Sequence, residues 1–515
     1  MSTIGVWQWA EKEPERLALV SAEGKEYTFK ELAERTNQVA RGLQSLGLKR
    51  GDGVAMVMPN DTAWVELFLA TYQLGLYVTA INYHLAGPEI AYIVQNSEAN
   101  VFVAHERFGQ AAIEAAKELN YNPQHMFSVG ATEGFRSYSE LFEGQSAALP
   151  EDRSPGQLML YTSGTTGRPK GVRRPLFGGT PESAGQMYLL MSQMFRIKPG
   201  DGIHLTTGPL YHAAPGGISM AALQTGQTLV LMDKWTPDDM LEVIERYRVT
   251  SMHMVPIMFQ RLLHLPDDVK QRYDLSSLET VIHGAAPCPR ETKQKIIEWF
   301  GPVIYEYYGA TEGGGTIIDS KEWLEHPGSV GKPWPGSTIK ILDDDGNELA
   351  TKEQGSVFMS SMIGEFEYFK DKDKTEGSRK GKLFTVGDIG YFDEDNYLYL
   401  CDRKADLVIS GGVNIYPAEV EAALSQHPSV GDVAVFGIPD EEWGESLKAV
   451  IELKSGIEDN DALCEELLEF AGKKIARFKL PKSIDFTDAL PRLPTGKLYK
   501  RLLRDPYWEN SERRI

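Results

Sequence analysis

Cysteine is nearly missing from this chain of 515 residues: Cys288, Cys401 and Cys464 are odd in number and far apart. A disulfide framework needs pairs, so a reducing compartment and a cytoplasmic location are expected. No Cys/His group has the spacing of a transition-metal site. No run of about 18 uncharged apolar residues occurs, so no membrane-spanning helix is expected. Between Met1 and Pro14, acidic residues stand where a secretory signal would need its apolar stretch. Positive charge is also in deficit, with 53 Lys plus Arg against 73 Asp plus Glu and a net charge of -20. That balance excludes an extended nucleic-acid surface, which would need cations to neutralise phosphates. A small anion held by local groups remains open.

What is present is ordinary for a globular protein, 42% hydrophobic and 24% charged. The length exceeds what one core usually organises, so two or more domains are expected. Thr28 followed by Glu31 reads as a capping box opening a helix, with Leu32, Val39, Leu43 and Leu46 along its apolar face. Val54–Met58 reads as a buried strand, residues 63 to 74 as a helix and Tyr77–Ile81 as a strand. The rhythm continues with helices at 109–119, 181–195 and 237–247 and strands at 228–232, 251–255, 280–283 and 303–307. Strands alternating with helices imply a mainly parallel sheet covered on both sides. After residue 325 short strands with turn chemistry predict a β-rich subdomain. Past Arg403 a helix, two strands and a second helix predict a small α+β domain. The expected division is therefore α/β: a large domain over residues 1–402, a small one over 403–515, and a hinge near 401–406.

The stretch most charged with chemistry is Tyr161-Thr162-Ser163-Gly164-Thr165-Thr166-Gly167-Arg168-Pro169-Lys170-Gly171. It follows a short apolar run, Leu158 to Tyr161, that reads as one buried strand. Glycines expose successive N–H groups as an anion nest, and the hydroxyls and Lys170 add donors for a polyphosphate. It is not a Walker loop, because Pro169 stands where that motif has its second glycine. A polar surface turn has the same composition. Ser163 lacks a Gly-x-Ser-x-Gly elbow, so no hydrolase nucleophile is expected there.

Further on, Tyr308-Gly309-Ala310-Thr311-Glu312 places a carboxylate after a strand, where open α/β sheets bind ligands. Glu312 could hold Mg²⁺ on phosphate oxygens, although a helix cap would look alike. Asp388 closes an apolar run and suits a ribose diol, but Gly-Asp is also turn chemistry. Gly284-Ala285-Ala286-Pro287 is a small-residue turn against which a flat base could lie. Lys497, in Pro494-Thr495-Gly496-Lys497, could stabilise developing charge, whereas most terminal lysines are merely solvated. His212 beside Tyr211 is by itself more often structural than catalytic.

Taken in order, these segments, together with Pro209 to His212, Asp402-Arg403 and Gly411-Gly412, resemble the adenylate-forming acyl-CoA synthetases. That superfamily includes adenylation domains and beetle luciferases. The resemblance implies that a carboxylate attacks the α-phosphate of ATP, giving acyl-AMP and pyrophosphate, and that coenzyme A then displaces AMP. By position it implies that Thr162, Ser163, Gly164, Thr165, Thr166, Gly167 and Lys170 hold phosphates, and that Glu312, with Thr162, holds Mg²⁺. Thr311 and Lys497 would contact the reacting groups, with Thr162 and His212 completing the catalytic set. Asp388 and Arg403 would bind ribose, and Gly284, Ala285, Ala286, Tyr308 and Gly309 the adenine. The small domain is expected to rotate about the joint, bringing Lys497 in for adenylation and then Gly411 and Gly412 to line a pantetheine tunnel.

Three departures stand out: the hinge position is Ala405 rather than Asp or Lys, Val413 replaces a glutamate, and Gly216-Gly217 replace a tryptophan gate. The acyl pocket is expected to run from His212 along Gly216 to Thr225, past His253, Met254, Val255 and Gly313. With no evident Lys or Arg in it, the expected substrate is a bulky apolar acid. A medium- or long-chain fatty acid is the first choice, and an aryl or sterol side-chain acid the alternative. A carrier protein could replace coenzyme A as acceptor; a luciferase-like monooxygenase and a catalytically silent acyl- or nucleotide-binding protein are the readings from other classes. A homodimer is compatible with the resemblance.

Overall fold

The computed structural model describes residues 3–162, 169–361, 364–403, 406–410, 413–440, 443–492 and 498–508. Two large sheets dominate it. One has six strands in the order Arg136–Ser137, Met126–Val129, Ala99–His105, Gly53–Val57, Tyr77–Ala80 and Gln157–Leu158, every neighbouring pair parallel. The other has nine strands. Its middle runs parallel through Ile304–Gly309, Thr280–His283, Ser251–Met254, Ile203–Thr206, Thr228–Leu231 and Leu17–Val20. Antiparallel strands close both edges: Gly315–Asp319 and Lys332–Pro333 on one side, Glu26–Thr28 on the other.

The two sheets share a core. Helices Thr62–Gln73 and Ala213–Gln224 contribute to the same buried cluster, in which Trp64 and Phe68 meet Met220, Leu223, Leu229 and Val78. Apolar side chains go all round the first of these helices because it is buried on nearly every side. Its rings stack in series, Trp64 on Phe68 at 5.4 Å and Phe68 on Tyr72 at 6.2 Å. Helix Phe29–Ser45 opens with the expected capping box: the Glu31 N–H donates to Thr28 Oγ1 at 3.1 Å and the Thr28 N–H to Glu31 Oε2 at 2.8 Å.

Two local expectations need correction. The helix read at 181–195 is two, Pro181–Ala184 and Gln186–Met194, broken at Gly185. A Cβ at Gly185 would lie 2.7 Å from Ile4 Cγ2, so the break is where the N-terminal segment crosses. The strand read from Leu158 to Tyr161 is also two pieces. Gln157–Leu158 joins the six-stranded sheet, whereas Leu160–Thr162 pairs antiparallel with Lys170–Arg173. A strand that changes partners this quickly presents the same short apolar run as one that does not.

Beyond residue 330 the chain builds a six-stranded, largely antiparallel sheet, including Gly355–Met359, Asp388–Phe392 and Leu398–Arg403. A separate core begins at Val408 and gathers Val420, Leu424, Val435, Leu447, Ile451 and Leu467. It lies on the three-stranded sheet Val430–Asp440, Gly444–Leu453, Ser483–Thr487. The last helix, Lys500–Trp508, is pinned there by Lys500 Nζ on Glu421 Oε1 at 2.8 Å and by Trp508 Nε1 donating to the Gly437 carbonyl at 3.0 Å. No helix among the described residues is long and apolar enough to cross a membrane.

Candidate active site

The carboxyl ends of two neighbouring strands set the site, as open parallel sheets favour. Thr280–His283 runs into the turn at Gly284, and Ile304–Gly309 runs into a hairpin loop that returns as Gly315–Asp319. At Gly284 a Cβ would lie 2.6 Å from the Tyr307 ring, so glycine is required there. Ala285 follows with φ 68, a left-handed turn that leaves Ala285 and Pro287 exposed. Beneath this turn Lys293 Nζ meets Glu306 Oε2 at 2.5 Å, both side chains buried, with His283 Nε2 3.8 Å from the same carboxylate. Removing one partner of such a pair typically costs about 3–5 kcal/mol, so it braces both strands behind the site.

Thr311 and Glu312 are the central residues of a turn closed by the Gly313 N–H donating to the Ala310 carbonyl at 2.9 Å. Glu312 is only 4% exposed, and Tyr368 OH donates to its Oε1 at 2.7 Å. Arg174 Nη2 donates to the Thr311 carbonyl at 2.7 Å. Tyr308 OH donates to Asp388 Oδ2 at 2.6 Å, and Asp388 lies directly opposite Arg403 on the neighbouring strand. Lys170 pairs with Thr162 in register and its amine contacts Asp371, whose carboxyl is held below its ordinary range first by that amine. The register Val172 to Tyr368 brings the Lys170 strand beside the residues that touch Glu312.

The structure thus gathers Thr162, Lys170, Thr311, Glu312, Tyr308, Gly309 and Asp388 through successive contacts, with the Gly284–Ala286 turn on the adjacent strand. Ser163, Gly164, Thr165, Thr166, Gly167, Ala405, Gly411, Gly412 and Lys497 lie outside the described residues, as does the Arg403 side chain.

Next to this cluster is an apolar face. His212 caps helix Ala213–Gln224, its Nε2 without a partner among the described residues, its ring 4.2 Å from that of Tyr211. His253 Nε2 lies 3.1 Å from Tyr307 OH. Burial, with neighbouring His212, pushes His253 down to about 3, and burial, with neighbouring His84, does the same to His212, so both rings are neutral. Met191, Met194, Ala214, Tyr307 and Ile317 are half-buried around Phe195 and Ile218. Gly216 is close-packed, its Cβ position 2.4 Å from the Leu210 carbonyl, but Gly217 has no atom within 4 Å of where a Cβ would lie. Gly313 sits in the hairpin loop at φ 94. Met254 is not brought to this face. Alternate strand residues point to opposite sides, and Met254 packs with Met252, Phe259 and Val281 in another core.

Sequence reasoning missed Arg174, Tyr368 and Asp371. Their partners lie 137, 56 and 201 residues away, and no local pattern marks such pairs. Met191 and Met194 were legible only as helix residues.

The side chains present suit a magnesium nucleotide: a buried carboxylate, an amine on the adjoining hairpin, and a guanidinium whose Nε has no partner among the described residues. No group of three or more His, Cys, Asp or Glu among the described residues is placed to hold a metal. Mg²⁺ bound here would take Glu312 and phosphate oxygens, as this hard ion commonly does.

Comparison with known proteins shows the family. Residues 6–363 match the AMP-binding enzyme family and residues 419–497 the AMP-binding enzyme C-terminal domain. The chain is 31% identical to a long-chain-fatty-acid–CoA ligase of Mycobacterium tuberculosis, covering 93% of each. It is 33% identical to a 2-succinylbenzoate–CoA ligase of Geobacillus kaustophilus, covering 98% of each. ATP-bound MatB from Rhodopseudomonas palustris superposes with a TM-score of 0.83 at 27% identity, over 99% of both chains.

Proposed function

We propose, from the premise that this chain belongs to the AMP-binding enzyme family, that it is an AMP-forming acid–CoA ligase for an apolar carboxylic acid, first a medium- or long-chain fatty acid. Ligases of this class use ATP, Mg²⁺ and coenzyme A. The observation that carries the reading is the Thr311–Glu312 turn, buried between the Lys170 hairpin and the Tyr308–Asp388 pair.

In this reading the exposed Ala285–Pro287 turn and Tyr308 hold the base, with Asp388 and Arg403 on the ribose. Thr162 and Lys170, with residues 163–168 between them, face the phosphates, and Glu312 holds the metal that neutralises their charge. Thr311 and Lys497 orient the carboxylate for attack on the α-phosphate, which releases pyrophosphate. After Lys497 withdraws, the joint around Ala405 brings Gly411 and Gly412 to the same centre for acyl transfer to the thiol. A cytoplasmic location and a homodimer belong to the same proposal.

The choice of an apolar acid rests on the neutral rings of His212 and His253, the half-buried Met191 and Met194, and the open space at Gly217. Aryl acids are the second reading, favoured by Tyr307, whose ring makes a T-shaped contact with Phe195 at 6.0 Å. The test is coenzyme A-dependent AMP release across a panel from acetate to palmitate with cinnamate- and benzoate-type acids. Apolar acids of eight or more carbons should be preferred, and a preference for acetate would overturn the pocket assignment. Pyrophosphate exchange without transfer to free coenzyme A would instead point to a carrier-protein acceptor.

A further inference from the structure

We propose that Arg174 is a positioning residue for the adenylation half-reaction, tying the phosphate-binding hairpin to the Thr311–Glu312 turn. The inference rests on the ligase reading above.

Arg174 follows the strand Lys170–Arg173 directly, so it is one step beyond the hairpin that carries Lys170. Its residue is 9% exposed, unusual for an arginine away from an interface. Three parts of the fold meet on it. Its Nη2 donates to the Thr311 carbonyl at 2.7 Å, reaching the loop of the nine-stranded sheet. Its own carbonyl accepts from Tyr77 OH at 2.8 Å, reaching the six-stranded sheet. Its backbone continues the three-stranded unit in which Val172 pairs with Tyr368, the residue whose hydroxyl meets Glu312.

A guanidinium is costly to bury unless anions repay its lost hydration. Here burial pushes it down to about 10, with the Glu312 carboxylate acting the other way. Its Nε is buried without a partner among the described residues. The site therefore holds a fixed positive charge, with its Nε unused among the described residues, beside the carboxylate that would hold the metal. Two consequences follow. The hydrogen bond to the Thr311 carbonyl fixes the turn, and with it the direction of the Thr311 hydroxyl and the Glu312 carboxylate. The charge adds to the field that would receive the triphosphate. Lysine is a poor replacement in geometry, since it lacks the planar fork, but it keeps the charge.

The experiment compares wild type with Arg174→Met, Arg174→Gln and Arg174→Lys. Calorimetric binding of Mg·ATP, without any acid, is read beside ATP–pyrophosphate exchange and transfer to coenzyme A from supplied acyl-adenylate. Loss of a charge-assisted contact predicts about tenfold or greater weakening of Mg·ATP binding in R174M. Exchange should fall at least as much, with transfer from acyl-adenylate changed less than about threefold and the thermal midpoint kept within a few degrees. Arg174→Lys should recover binding above Arg174→Gln, because charge contributes as well as the donor. Mg·ATP binding in R174M equal to wild type, or equal losses in both half-reactions, would overturn the inference. So would R174K and R174Q binding alike, a comparison that stands even if R174M fails to fold. Wild-type protein that binds Mg·ATP but exchanges pyrophosphate with no acid would count against the ligase reading instead.

Discussion

Gly217 shows how one missing side chain can set a substrate range. It stands one turn on from Ala214, which packs in one cluster with the half-buried Met191, Met194 and Tyr307, and has open space where a Cβ would point. A phenylalanine there would occupy the volume assigned to the acyl tail. Each buried methylene is worth about 0.8 kcal/mol, so excluding two of them costs more than tenfold in affinity. Gly217→Phe is therefore expected to raise KM for palmitate at least about tenfold and leave butyrate nearly unchanged. Steady-state kinetics on the two acids decides; an equal effect on both would place the open space outside the pocket. Arg174 belongs to the same scale, and the 137 residues that separate it from its partner explain why no local pattern marks it. One arginine among several in a basic stretch reads as solvated, and nothing within the stretch records the turn it will meet.

The strands carry a titration of their own. His204, His253 and His283 stand on the neighbouring strands Ile203–Thr206, Ser251–Met254 and Thr280–His283, all buried. Burial lowers His204 and His253 to about 3 and His283 well below its ordinary value. The unfolded chain therefore takes up protons below about pH 6.5 that the folded one refuses. Stability is full above that pH and is lost as pH falls towards 3, by up to about 1.4 kcal/mol per pH unit for each ring. Glu66, raised to about 7 by burial, opposes one of the three. Urea midpoints are expected to fall between pH 7.5 and 5, and His204→Gln should flatten that slope. An unchanged midpoint would mean that the rings protonate in place.

The same scale shows what could be read in advance. The Thr28 capping box was legible because both its partners lie within four residues. Helix Pro237–Tyr247 and strand Thr280–His283 match their expected limits, the helix because it has one apolar face and the strand because it is a short, wholly buried apolar run. The strand Ala99–His105 and the break at Gly185 were not legible, since both depend on neighbours distant in sequence. The glycine-rich loop was recognised from composition and resemblance, and its phosphate role is a proposal that mutation must test.

At the scale of the whole molecule, the proposed reaction is divided between two bodies. Lys497 belongs in sequence to the part that begins at Val408, whereas Thr311 and Glu312 lie in the loop between strands Ile304–Gly309 and Gly315–Asp319. If the small domain brings Lys497 to the nucleotide for the first step alone, Lys497→Ala should abolish pyrophosphate exchange while largely sparing acyl transfer from supplied acyl-adenylate. Rapid-quench measurement of the two half-reactions checks this, and parallel loss of both would contradict a rotating domain.

Asp402 and Arg403 are the last two residues of the strand Leu398–Arg403. Arg403 stands across from Asp388, and Asp402 accepts from the Ala418 N–H, the start of the small domain's first helix, at 2.9 Å. One dipeptide thus joins the strand pair proposed to hold the ribose to the helix at Ala418, in the part proposed to swing. If the proposed hinge lies at this joint, the adenylate can stay anchored while everything downstream turns, so the labile anhydride need never be let go between its making and its use.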